Sequence, residues 1–213
     1  GVIARFAEVR EVTAQPPAGA AQERLRSLFT SLRRLIGIRS QLSNAGRLET
    51  EATVRDLEGG VQREVEAGIR RLEGEIASAI DDAPLWSRLN EVFREIKGVG
   101  DRSVAVLLAL LPEIGTIGNK AIAKLAGLAP MARDSGMTQG RRAIRGGRRE
   151  VRDILYMAAH CAARCLGDFK DFAERLRKAG KPPRVIRIAL ARKMLVRLNA
   201  KARDARKEFA MLT

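Results

Sequence analysis

Aromatic residues are scarce in this chain, with one Trp, one Tyr and six Phe among 213 residues. A core must therefore be built from Leu, Ile, Val and Ala, which the 46% hydrophobic content can supply. Histidine is scarcer still, and the lone His160 excludes multi-histidine metal sites and histidine-based triads. Two cysteines, Cys161 and Cys165, stand four apart with no further thiol or histidine pattern, too few for a zinc site. They read as buried free thiols. No apolar run approaches the length of a membrane span, and the start, GVIARFAEVREV, lacks the layout of a signal peptide. No membrane partner and a reducing, cytoplasmic setting are therefore expected. Alternating strands of useful length are missing too, so the expected class is all-α.

What the chain has in excess is positive charge. Its formal net charge is +15 and its pI about 11.0, the balance of a protein with a polyanionic partner. The excess is divided unevenly. Residues 1–119 carry 16 Lys+Arg against 17 Asp+Glu, whereas residues 120–213 carry 24 against 8. A division of this kind points to nucleic acid held by the C-terminal part.

The most basic connecting stretch is Ala126–Arg152, AGLAPMARDSGMTQGRRAIRGGRREVR. It holds Gly136, Gly140, Gly146 and Gly147, with Arg133, Arg141, Arg142, Arg145, Arg148, Arg149 and Arg152. Glycine permits close approach of backbone to a ligand, and the guanidinium fork suits phosphate. Ser135 lies among these arginines, between Asp134 and Gly136. A hydroxyl so placed has the surroundings that attack on a phosphodiester needs. It equally suits a basic turn whose serine bonds its own backbone, and chemistry alone favours that second reading.

The remaining chain divides at its glycines and prolines. Residues 1–20 read as the remnant of a preceding domain and a linker, because Pro16-Pro17 cannot continue a helix. From residue 21, Leu25, Leu28, Leu32, Leu35 and Leu42 follow a heptad-like spacing. After a break at Asn44-Ala45-Gly46, a second run from Leu57 to Ile80 repeats at three or four. Residues 21–84 therefore read as a coiled-coil-like helical hairpin, either closed on itself or paired with a second copy as a homodimer or higher oligomer, and the same pattern suits an ordinary layer of a helical bundle equally well. Gly59, Gly60, Gly68 and Gly74 weaken the second helix and argue for packing against a partner. Residues 85–213 read as a compact helical domain. Within it, LWSRLNEVFREI, then Lys97-Gly98-Val99-Gly100, then an apolar helix from Ser103 have the layout of a helix-hairpin-helix. There Gly98 and Gly100 would permit the turn, and the second helix would offer its N–H groups to a DNA phosphate. A plain glycine turn between core helices fits the same residues. Val185–Leu198 is the last long helix, whose Arg184, Arg187, Arg192, Lys193, Arg197 and Lys201 suit either a second phosphate-binding face or a plain solvated one, and residues 202–213 are expected to fray.

Several segments together resemble the C-terminal transposase domain of the insertion-sequence 110 family, the bridge-RNA-guided serine recombinases. These are Ile96-Lys97-Gly98-Val99-Gly100, Leu111-Pro112-Glu113-Ile114-Gly115, Leu125–Pro130, Arg133-Asp134-Ser135-Gly136, Arg145-Gly146-Gly147, Leu155–Ala159 and Ala179–Pro182. The resemblance covers about residues 85–200, and residues 21–80 look like the family's coiled-coil connector; Lys97 departs from the common proline. It implies a DNA transposase or recombinase of a mobile element, with Ser135 as nucleophile and Arg133, Arg142 and Arg145 near the scissile phosphate. It also implies a guide RNA and an N-terminal resolvase-like domain with four acidic metal ligands. The start of this chain resembles the residues just after the last of those acids. No metal or cofactor is then expected in this chain, and a divalent metal such as Mg belongs to the acidic domain. The alternative is a non-catalytic helix-hairpin-helix module that binds DNA or RNA.

Overall fold

The two heptad-like runs become two long helices, α1 (Ala20–Ala45) and α2 (Ala52–Asp81). The computed structural model describes residue 5 and residues 19–131, 143–165 and 167–212. The short link from 46 to 51 leaves α2 little choice but to fold back along α1 as an antiparallel hairpin. Gly46 closes α1 by donating its N–H to Leu42 O at 2.9 Å, and Glu51 opens α2 by accepting from Val54 N at 2.9 Å. Of the four glycines in α2, Gly68 is the one that meets the facing helix, since a Cβ there would lie 3.0 Å from Leu35 Cδ1. Apolar residues at the base of the hairpin, Leu25, Phe29 and Leu32 with Ile69, Ile76 and Ile80, are buried in the same core as the C-terminal helices. Toward the tip the pattern continues without cover: Leu48, Leu57 and Val61 are exposed.

Six further helices follow: α3 (Pro84–Arg94), α4 (Asp101–Leu110), α5 (Asn119–Leu125), α6 (Arg149–Ala162), α7 (Asp168–Lys178) and α8 (Pro183–Leu212). Between α5 and α6 two residue pairs form a short ladder, β1 (Pro130–Met131) with β2 (Ala143–Ile144). The all-α class holds. Pro84 starts α3, where a missing N–H costs nothing. Seven successive residues of α4, Ser103 to Ala109, are buried, so this helix is apolar all round and lies central to the others. It packs on α1, α3 and α6, while α8 packs on α3, α5, α6 and α7.

Among the described residues two polar side chains are buried in this core, Ser103 and Asn199. Asn199 of α8 is fully buried; its Oδ1 accepts from Gly115 N at 2.8 Å. Its Nδ2 donates to Ile117 O at 3.0 Å and to Asn119 Oδ1 at 2.9 Å. The turn between α4 and α5 is thereby fastened to α8. Gly115, at φ 84°, presses so closely on Ala202 that a Cβ would lie 2.7 Å from its carbonyl carbon.

Two expectations need correction. Residues 202–212 do not fray but continue α8, with Ala202 and Ala205 buried. The guanidiniums of Arg203 and Arg206 donate to Ile117 O at 3.3 Å and Ile114 O at 2.9 Å, anchoring the last turns. The cysteines are not core residues. Cys161 is exposed and Cys165 half-buried, because Ala158, Ala159 and Ala162 take the inward positions of α6. Residues 1–4 and 6–18 lie outside the described residues. Among those described, no helix is long and apolar enough to cross a membrane.

Candidate nucleic-acid interface

The arginine-rich stretch is built on a clasped stem. Pro130 pairs with Ile144 and Met131 with Ala143, so both ends of segment 132–142 are brought to one place. Ser135, Arg133, Arg141 and Arg142 belong to that segment and lie outside the described residues. Below the ladder, Gly127, Gly146 and Gly147 all adopt positive φ. A Cβ on Gly127 would run into Gly146 O, and one on Gly147 into the Gly127 backbone, so two chain segments cross where only glycine fits. Arg148 N donates to Leu125 O at 2.7 Å, and Arg152 Nη1 to Gly146 O at 2.7 Å.

The arginines of this stretch divide by role. The Arg148 guanidinium turns inward and donates to both oxygens of Glu113, at 2.5 and 2.6 Å, and to Leu110 O at 2.9 Å. With Gln22 Nε2, which donates to Leu108 O and Ala109 O, it satisfies the last carbonyls of α4. The hydrogen bonds from Arg148 hold the Glu113 carboxyl below its usual range, against the opposing effect of burial. Arg148 therefore fastens the stem to α4 and has little left for phosphate. Arg145 and Arg149 are exposed at the foot of the stem. Arg149 has one solvent-exposed partner, Asp153, at 3.4 Å. An exposed pair of this kind is worth little, so both guanidiniums are available to an anion.

The Gly98–Gly100 turn lies elsewhere. Gly98, at φ 93°, abuts α6, where a Cβ would be 2.5 Å from Ala158 O; packing alone requires this glycine. Gly100 caps α4 in extended backbone with open space around it. At the same helix end Asp101 is paired with Arg94, and its carboxylate already meets the positive end of the helix dipole. The stem meets the other end of α4, about 15 Å away at 1.5 Å per residue. The structure thus does not bring Gly98 and Gly100 to the arginine-rich stem. Among the described residues no group of three or more His, Cys, Asp or Glu converges on a metal position.

Residues 90–174 match the model of the family described as Transposase IS116/IS110/IS902 family. The match supports a transposase domain of that family over these residues. The match runs from within α3 to within α7, so it takes in the Gly98–Gly100 turn, the clasped stem and the whole Ser135 segment. A curated relative from Streptomyces coelicolor (strain ATCC BAA-471 / A3(2) / M145), the "Insertion element IS110 uncharacterized 43.6 kDa protein", is 31% identical over 135 residues. That alignment covers 62% of this chain and 32% of the relative, so the chain matches about a third of that protein's length. Within the matched residues, sequence reasoning missed Glu113, whose role depends on a partner 35 residues away. The signal was present in the Leu-Pro-Glu-Ile-Gly segment, yet nothing local assigns its carboxylate to Arg148.

Proposed function

We propose that this chain is the serine-bearing part of a DNA transposase or recombinase of a mobile element, with Ser135 as the nucleophile. The observation that carries this reading is the stem: a ladder and a glycine crossing bring together both ends of the segment holding Ser135, with Arg145 and Arg149 exposed at its foot. In the proposed step Ser135 Oγ forms a bond to a DNA phosphorus and the bond from phosphorus to a deoxyribose oxygen breaks. The serine proton passes to a base and the departing oxygen takes up a proton. Arg133, Arg142 and Arg145 stabilise the charge that accumulates on the phosphoryl oxygens. Arg141 and Arg149 add backbone contacts to the DNA, and Arg148 keeps the stem in place. The turn at Gly98 and Gly100 serves as a helix-hairpin-helix contact to DNA away from the reacting phosphate.

A divalent metal such as Mg belongs, in this reading, to acidic residues outside these 213, and no step is assigned to it here. Partners are DNA and a guide RNA, with the hairpin joining protomers. The test uses the full-length protein with its guide and a DNA substrate. Ser135→Ala is expected to abolish a denaturant-stable protein–DNA adduct and strand exchange while DNA affinity stays within about twofold, because the arginines carry binding. An alanine variant that still recombines DNA overturns the assignment of Ser135. Absence of any adduct in the parent favours the non-catalytic binding module instead.

A further inference from the structure

The larger part of the basic excess is not in the arginine-rich stem. Residues 126–152 hold seven Arg against Asp134 and Glu150, whereas residues 164–207 hold 15 Lys+Arg against four Asp+Glu. That second region is α7 and most of α8, away from the Ser135 segment in sequence. Part of its charge has an internal use, since Arg203 and Arg206 bind carbonyls of the turn between α4 and α5. Three others, Lys193, Arg197 and Lys201, follow one another at i, i+4 and i+8 on α8. They form a row with a rise of about 6 Å per step. The first two are clustered with aromatic rings in a chain that has few. Lys193 Nζ lies 4.7 Å from the centre of the Phe172 ring and 5.5 Å from that of Phe169. Arg197 lies 5.0 Å from Phe169, and the exposed Arg175 lies 5.1 Å from Phe172.

We infer that the α7–α8 face binds an unpaired polynucleotide strand, with the Lys193, Arg197 and Lys201 row along the phosphates and a base seated beside Phe172 and Arg175. The row supplies backbone charge, and a ring with a guanidinium over it supplies a stacking surface that tolerates any base. Beside them is an open cleft of about 390 Å³, lined by Phe172, Arg175, Lys193, Asp168 and Asp171. Carboxylates in such a cleft accept hydrogen bonds from the N–H groups of an unpaired base, the N3–H of thymine or uracil among them, which pairing in a duplex would occupy; this favours a single strand. Arg197 is paired with Asp168 and Lys201 with Glu95, but all four side chains are substantially exposed. Exposed pairs of this kind contribute little, so a phosphate can replace either carboxylate at small cost. Lys193 is held below its usual range first by burial and then by the neighbouring Arg197, a strain that an arriving phosphate relieves. This face stands on its own charge and ring geometry and does not require Ser135 to be the nucleophile.

The test measures binding of the 213-residue chain to a fluorescent oligothymidylate of about 15 nucleotides over a range of salt, beside a duplex of the same length. The triple variant Lys193→Gln, Arg197→Gln, Lys201→Gln is expected to lower the single-strand salt slope by about two and to leave the duplex slope unchanged. Phe172→Leu is expected to weaken single-strand binding about tenfold at constant slope, with Phe172→Tyr restoring it. The variant Arg145→Gln, Arg149→Gln should do the reverse, reducing duplex binding and sparing the single strand. An oligouridylate run in parallel distinguishes RNA from DNA as the source of the strand. A triple variant with the parent's single-strand affinity and slope overturns the inference, as does an equal loss on both nucleic acids. If Phe172→Leu melts early by circular dichroism, the charge variant decides alone, since its residues lie at the surface.

Discussion

Arg148→Ala separates an arginine that holds the protein together from one that holds DNA. The wild-type guanidinium donates twice to Glu113 and once to Leu110 O, and the Glu113 side chain is only 14% exposed. Removing it leaves a carboxylate largely cut off from water, and an α4 carbonyl, without their partner. Severing a fully buried pair costs about 3–5 kcal/mol. Arg148 itself is about one-third exposed, so water can enter the gap, and the expected loss is nearer about 2 kcal/mol. For a chain of this size that corresponds to a fall in Tm of about 4–8 °C. Glu113→Gln should cost about half as much, because the amide oxygen still accepts from the guanidinium. A double-mutant cycle between the two positions should return a coupling of about 1–2 kcal/mol. Thermal melting by circular dichroism reads stability, and duplex binding against salt reads phosphate contacts. The slope for Arg148→Ala should equal the parent's. An unchanged Tm with a slope reduced by about one would show that Arg148 faces phosphate and that the inward pairing is not maintained in solution.

Glu113 has its carboxyl held below the ordinary value of about 4.5, so its contribution to stability is complete above that pH and is lost as pH falls through the depressed value. The Tm difference between parent and Glu113→Gln should therefore shrink between about pH 5 and pH 3; a difference that stays constant across that range would exclude the ion pair as its source. In the hairpin, Leu57→Lys with Val61→Lys should convert a self-associating chain to a monomer in sedimentation velocity without lowering its Tm, because both side chains are exposed. A parent already monomeric at high concentration would refute pairing through the tip. Leu32→Lys should instead unfold the hairpin base, where Leu32 is 3% exposed.

The helices were legible because leucine spacing, Pro84 and the glycine breaks act locally. The break expected at Asn44-Ala45-Gly46 falls where α1 ends at Ala45, and Pro182-Pro183 falls where α8 begins. What the sequence hid depended on partners distant along the chain. The last turns of α8 carry enough charge to read as a fraying tail, and buried Ala202 and Ala205 together with the carbonyls of residues 112–117 explain why they stay helical. The ladder of β1 and β2 is two residues long, too short for any alternation to register. Gly147 reads as a place where backbone can approach a ligand, yet it is the Gly127 backbone that requires it, as the Gly146 carbonyl oxygen requires Gly127. In the candidate interface the arginines were evident as a group. Composition could not tell Arg148, which faces inward, from Arg145, which faces solvent.

Asn199 has a consequence beyond satisfying its own hydrogen bonds. Leucines and methionines along α8 can slide or repack at modest cost, since apolar contact has no direction. The amide of Asn199 does have one, and it engages three groups at once, two in the turn before α5 and one on its first residue. Rotating α8 by one residue, about 100°, or shifting it by 1.5 Å, would misalign all three together. The side chain therefore works as an indexing pin that sets the angular position of the whole helix. Lys193, Arg197 and Lys201 have their compass bearing fixed by an uncharged residue in the core, so an Asn199→Leu chain could keep its helix content and its charge and still present the basic row in the wrong direction.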